Sequence, residues 1–523
     1  MSKFSTLKSQ ISNLKSQISP LKTILLSLLM VMLMGCQSRP ENATPHSQRE
    51  NAVQADSLPD IYPDYTDVTI PVGIAPLNFS MADDDVTAID VSIRGSKGGT
   101  LHANGSYADF DIDDWPQLVE ANKGGQLQVT VCAEKDGQWT QYRPFAINVS
   151  QHPLEAWGVT YRRIPPSYEI YSKMGLYQRD LSTFDEQALL VNTQSPGMCI
   201  NCHTANRTNP DQYVFHVRGP HGATVVHRQG QDVLLKARND SLGGSMVYPY
   251  WHPGGRYCAF STNQTAQIFH LAKNKRIEVY DSSSDVFVYD TETCTILKDT
   301  LVMKQSWAEN CPAFSPDGKW LYFVTALQQA YPNDYDKQRY SLCRVAFDEA
   351  TGKLGEQVDT LLSANATPHS QRENSIGKSM TWPRPSYDGR YLMYTVADCG
   401  YFSVWHPEAD LWLLDLETGD TRCLDEVNSP QAESFHNWNV NSHWFLFTSR
   451  RDDGLYTRLY LAAFENGKAS KPFLLPQRNP KEYYRRLMYS YNTPDFTSRR
   501  IHTDARRMGQ LIDSDQRQPT TVK

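Results

Sequence analysis

Four stretches in the second half of the chain share one pattern of apolar and polar positions. A short apolar run leads into a tight turn of residues that tolerate positive φ, and a second run then turns aromatic or aliphatic side chains toward one face. The stretches are Pro249 to Ser261, Pro312 to Val324, Pro383 to Thr395 and the more degenerate Asn437 to Ser449, with Gly-Gly, Asp-Gly, Asp-Gly and Asn-Ser at the turn. Aligned on Gly255, Gly318, Gly389 and Ser442, they are 63, 71 and 53 residues apart, longer than a minimal four-stranded blade and so enlarged by loops. Further strand signals follow, as at Asp285 to Asp290 and Asp410 to Asp415. A hairpin with one apolar face cannot stand alone, and radial packing of such units buries every face.

Upstream, short β-like runs such as Val86 to Ile93 and Gln126 to Val131 alternate with turns, which predicts a small β-sandwich crossed by one helix or turn at Asp114 to Asn122. The expected fold is all-β: an N-terminal β-sandwich followed by a five- or six-bladed β-propeller, with a short haem-binding insertion. The expected division is a leader at 1–35, a flexible tether at 36–60, the sandwich at 61–153, a connecting segment at 154–212, the propeller at 213–500 and a disordered polar tail at 501–523.

The first thirty-five residues hold Lys3, Lys8, Lys15 and Lys22, no acid, and an apolar run from Thr23 to Leu33 that is short for a bilayer span. This reads as a signal peptide. It closes on Leu33-Met34-Gly35-Cys36, which resembles the lipobox of bacterial lipoproteins and makes Cys36 the expected lipidation site. The polar stretch after it fits a tether between lipid and fold. With 51 basic against 58 acidic residues the chain is moderately acidic, so nucleic acid is not an expected partner.

Beyond Cys36, Cys199 and Cys202, seven cysteines lie one by one along strand-like segments and read as single buried thiols. Asn42 to Asn51 recurs unchanged at Asn365 to Asn374, which marks a duplicated stretch of coding sequence with no expected function. The acidic runs Asp83-Asp84-Asp85 and Asp452-Asp453 read as solvated turn charge rather than calcium ligands.

One motif carries chemistry. In Cys199-Ile200-Asn201-Cys202-His203 two thiols three apart, placed on a local helical turn, suit addition to the haem vinyl groups while the adjacent imidazole binds iron. One covalent haem c is the expected cofactor, with His203 as proximal ligand. A zinc site is the rival, though no further thiolate or histidine follows nearby; a thioredoxin-like pair is another, though a βαβ setting is missing. For the sixth iron position His216 and His221 lead because they lie closest to the motif, with His227, His252, Met174, Met198 and Met246 also open.

Phe314-Ser315-Pro316-Asp317-Gly318-Lys319 resembles the propeller repeats of TolB and its relatives. Met198 to His203, Phe215 to Gly219, Trp251 to Pro253, Arg276 to Val286 and Thr448 to Arg458 together resemble a group of TolB-like propeller lipoproteins of Gram-negative bacteria with an embedded cytochrome-type haem motif. The resemblance spans about Tyr62 to Phe496 and implies an outer-membrane lipoprotein, periplasmic or surface-facing, held to the membrane by its N-terminal lipid. Two functions stand open: a haem-bearing electron-transfer or redox-sensing protein, and a TolB-like scaffold that binds a protein partner in the envelope, with haem structural or absent. A peroxidase-like enzyme is a third and needs an open iron position.

Overall fold

A strand near the C-terminus closes the ring on which the molecule is built. Ser490–Thr497 lies antiparallel to Gly158–Ile164, with Val159 opposite Phe496. The computed structural model describes residues 52–166, 173–236, 238–239, 242–270, 276–364 and 377–523. Residues 53–523 belong to one unit. The leader, Cys36 and both copies of the repeated decapeptide lie outside the described residues.

Six antiparallel sheets form the propeller. Blade one runs Cys199–Asn206, Asn209–Arg218, Ala223–Arg228 and Gln231–Lys236 from the axis outward. Blade two has Gly244–Trp251 innermost, then the long pair Tyr257–Phe269 and Ile277–Asp290. Blades three, four and five start at Trp307–Phe314, Ser379–Pro385 and Glu433–Trp438. Blade six joins the C-terminal strand Ser490–Thr497 to Gly158–Ile164, Gly175–Asp180 and Glu186–Val191. The four repeated hairpins of the sequence are the two inner strands of blades two to five, and Asp285 to Asp290 and Asp410 to Asp415 fall on third strands.

The propeller therefore begins near residue 158 rather than 213. The expected connecting segment, 154–212, supplies three strands of blade six and the innermost strand of blade one. In sequence it resembles a connector because blade one turns at Arg207 (φ 57°) with no Asp-Gly, and because the strands of blade six are split between the two ends of the propeller.

Between blades the apolar faces interlock. Leu176, Ile200, Val217 and Val225 fill the gap between blades six and one; Val226, Trp251, Phe260 and Phe287 fill that between one and two. Burying side chains of this size contributes roughly 1.5 to 3 kcal/mol each against conformational entropy.

The expected sandwich region holds a seven-stranded sheet centred on Gln126–Lys135, a helix at Asp114–Ala121 and the short pair Ile61–Tyr62 and Ser80–Met81. Its core, including Tyr65, Phe79 and Trp115, merges with Trp444, Phe473 and Leu475 of blade five. Asp83, Asp84 and Asp85 pair with Lys135, Lys481 and Arg485.

The tail 501–523 differs from the expected disordered segment. Ala505–Asp513 is a helix whose Met508 and Ile512 bury against blade one, and Thr521–Val522 pairs with blade two. Apolar residues at positions 501, 505, 508, 511 and 512 put one greasy face on an otherwise polar segment, which overall composition conceals. Among the described residues no helix is long and apolar enough to cross a membrane, and Cys258, Cys311 and Cys343 are buried as single thiols.

Candidate functional site

The innermost strand of every blade carries the same irregularity. One residue takes a left-handed conformation: Cys202 (φ 50°), Tyr248 (φ 50°), Cys311 (φ 51°), Trp382 (φ 54°), Phe435 (φ 49°) and Thr493 (φ 45°). At each of these points pairing with the second strand slips, as in a β-bulge. The next residue is proline in four blades, at 249, 312, 383 and 494, and histidine in two, His203 and His436. Proline suits this point because the ladder is already interrupted and its missing N–H forfeits little. Three residues before the bulge stand Cys199, Ser245, Ala308, Ser379, Ala432 and Ser490, all small.

The five residues from Cys199 to His203 are thus blade one's copy of a six-fold structural repeat. Its counterpart in blade three, Ala308-Glu309-Asn310-Cys311-Pro312, shares the Asn-Cys pair. The motif lies in a strand and bulge rather than on a helical turn, and inside a blade rather than in an insertion.

The side chains of the motif divide accordingly. Cys199 Sγ accepts a hydrogen bond from Arg162 Nη2 at 3.2 Å. Cys202 is buried and its thiol is pushed above the ordinary range by loss of water. His203 Nε2 lies 3.1 Å from Thr160 Oγ1, Nδ1 has no hydrogen-bond partner among the described residues, and burial lowers the ring's pKa to about 4.

Two cavities border His203. The first, about 540 Å³, is apolar, with Leu176, Leu190, Phe215, Phe496 and Met508 in its wall; His203 reaches it but neither thiol does. The second, about 530 Å³, lies in the axial channel, and Cys202 and His203 reach it but Cys199 does not. A covalent haem c needs both thiols and the imidazole around one cavity. Neither of these two cavities has both thiols and the imidazole in its wall.

The sixth-ligand candidates are placed elsewhere. His216 is buried with Nδ1 2.9 Å from Thr224 Oγ1, and burial holds it well below the ordinary histidine range. His221 is at the surface, 2.9 Å from Asp515. His227 meets Asp232 at 2.7 Å, and His252 Nε2 lies 3.1 Å from the Gly318 carbonyl oxygen. Met174 meets Arg162, while Met198 and Met246 sit in interblade cores. None of them lines either cavity beside His203.

The channel gathers other groups that sequence reasoning missed. Two residues past each bulge stand Thr204, Tyr250, Ala313, Arg384, Asn437 and Asp495, and all but Ala313 line the channel cavities. Asp495 is buried and its carboxyl is pushed up to about 7 by desolvation, although it accepts from the Ala205 N–H (3.1 Å), Thr204 Oγ1 (3.3 Å) and Asn437 Nδ2 (2.6 Å). His436 Nε2 lies 3.1 Å from the Met393 carbonyl oxygen, and burial with the nearby Arg384 charge drops its pKa to about 3.

Arg384 stands apart from these. Its guanidinium lies over Tyr250 (5.1 Å) and Trp382 (5.9 Å), and Nη1 donates to the Pro383 carbonyl at 2.9 Å. Among the described residues it forms no ion pair, and burial lowers its pKa. Both histidines are neutral and Asp495 keeps its proton below about pH 7, so in that range the half-buried Arg384 has no ionised partner among the described residues. The channel cavity shares Thr204, Tyr250, Asn437 and Asp495 with a further cleft of about 420 Å³ that reaches the exposed Arg207. In sequence Arg384 and Asp495 each directly follow their blade's proline, as Pro383-Arg384 and Pro494-Asp495.

No family model matches the chain, and no curated protein matches it. Among solved structures it is similar to a Mycobacterium tuberculosis puromycin-hydrolyzing peptidase, at 14% identity over 79% of this chain and 57% of that one, TM-score 0.33. It is also similar to an oligogalacturonate lyase in complex with manganese, at 13% identity over 59% and 84%, TM-score 0.31. A third likeness is to Kuenenia stuttgartiensis hydrazine synthase, at 10% identity over 66% and 48%, TM-score 0.41. The chain spans about half the length of the first structures it matches, 57%, 42% and 45%. Likenesses of this size carry no argument about what the chain does, and what stands from its own strands is a six-bladed β-propeller.

Proposed function

We propose that this protein is a TolB-like binding scaffold of the bacterial envelope, anchored by lipid on Cys36, which takes an anionic group of a protein partner into its axial channel and works without covalent haem. The observation that carries the reading is Arg384: a guanidinium held by two aromatic faces, facing a cavity, in no ion pair among the described residues. A cation drawn partly out of water is costly unless paired, so the site favours a carboxylate that arrives with a partner. The neutral His203 and His436 add polar contacts without repelling that charge, and Asp495, whose carboxyl is pushed up to about 7, does the same below that pH. Electron transfer through haem c asks for Cys199, Cys202 and His203 at one cavity, which they do not share.

Calorimetry with a blocked Asp-Glu dipeptide and its Asn-Gln counterpart tests the proposal. The acidic probe is expected to bind, more weakly as salt rises, and to lose at least tenfold in affinity with Arg384→Met, whose fold is checked by circular dichroism. No binding of the acidic probe, equal binding of the amide probe, or indifference to Arg384 overturns it.

A further inference from the structure

A second group of chemically active side chains lies away from the channel cavity, where the long hairpin of blade two meets the loop joining the second and third strands of blade four. Glu278 stands at the start of Ile277–Asp290, while Cys399 and His406 belong to the segment between Tyr391–Ala397 and Asp410–Asp415. All three are buried, and one donor atom from each lies within 4.8 Å of the other two.

We propose that Glu278, Cys399 and His406 form a divalent-cation site whose chemistry selects Zn²⁺. One thiolate, one imidazole and one carboxylate make a mixed S, N and O donor set of the kind zinc accepts. Bonds of about 2.0 to 2.3 Å in a tetrahedron put donors roughly 3.3 to 3.8 Å apart. The donors of the ion-free cluster lie within 4.8 Å of one another, so a bound ion would draw them together by about 1 Å.

The histidine is oriented for the task. Its Nδ1 lies 3.0 Å from the Glu408 carboxylate, the outer-shell contact that fixes the tautomer of a metal-binding imidazole and leaves Nε2 with its lone pair. That Nε2 lies 2.9 Å from Glu278 Oε2. In the ion-free protein a proton on Nε2 pairs the imidazole with Glu278, and a divalent cation that both side chains can bind would take that proton's place.

Such an ion ties blade two to blade four across the end of blade three. With three protein donors, the fourth tetrahedral position is left for water or an incoming ligand.

The test uses the full chain. After purification without chelator, about one zinc per chain is expected by elemental analysis. Protein stripped with chelator and titrated with Co²⁺ alone is expected to develop thiolate-to-cobalt absorption that Cys399→Ser abolishes. A charged imidazolium bridging two carboxylates predicts neither result, so a folded wild-type chain that binds no zinc, or a Co²⁺ spectrum without the thiolate band, overturns the site. If Cys399→Ser fails to fold, the wild-type cobalt spectrum alone decides. Arg384 takes no part in this cluster, so the dipeptide measurement and this one fail independently.

Discussion

The Asn437 amide donates to Asp495 Oδ1 at 2.6 Å, joining blade five to the strand that closes the ring. The other carboxyl oxygen of Asp495 accepts from Ala205 N and Thr204 Oγ1 of blade one. One buried side chain therefore links three neighbouring blades beside the channel.

Removing that link should cost more than a typical substitution. Asp495→Ala leaves the Asn437 amide and the Ala205 N–H without their acceptor, at roughly 1 to 3 kcal/mol for each buried group. A loss of about 3 to 5 kcal/mol is expected from urea unfolding, and Asp495→Asn, which keeps an acceptor oxygen, should lose less.

The same residue sets a pH dependence. Its folded-state pKa of about 7 lies above the ordinary aspartate value of 3.8, so the native state holds its proton where the unfolded chain has lost it. The contribution of Asp495 to stability is complete below about pH 4, falls as pH rises toward 7, and is level above that. Denaturation midpoints measured from pH 4 to 8 should show this decline, and Asp495→Asn should flatten it.

The equivalence of the six bulges yields a sharper expectation. His203 stands where four other blades have proline, so His203→Pro should fold and lose no more than about 1.5 kcal/mol, the worth of its contact with Thr160. Proline inside a regular strand would be far more damaging. A variant that fails to fold would show that blade one departs from the repeat.

Gly509 tests how the C-terminal helix docks. Glycine to alanine in a helix ordinarily gains up to about 1 kcal/mol. Here a Cβ would stand 2.5 Å from the Gln194 carbonyl oxygen, a backbone atom with little room to yield. Overpacking of this kind costs roughly 1 to 3 kcal/mol, so Gly509→Ala should lower the melting temperature.

Blades two to five were legible in the sequence because a short turn of Asp-Gly, Gly-Gly or Asn-Ser between apolar runs has a distinct physical signature. Blade one was hidden by a turn built on Arg207, and blade six by a closure that pairs residues more than three hundred apart. The cysteines and histidine of blade one stood out on spacing alone, since a local motif carries no information about the strand it occupies. The small residue, bulge and proline or histidine that recur in all six inner strands supply that information once the blades are aligned. Arg384 and Asp495 are ordinary charged residues in sequence, and only the ring brings them to one channel. The Glu278, Cys399 and His406 cluster likewise comes from blades more than one hundred residues apart.

The most direct measurement is the intact mass of the native full-length protein, produced in a host that attaches c-type haem, followed by the mass of the peptide containing Cys199 and Cys202. A polypeptide mass with no added porphyrin and an unmodified peptide is the result expected of an inner propeller strand. A chain carrying one haem on those two cysteines would contradict the structural role assigned to the motif and return the protein to electron transfer.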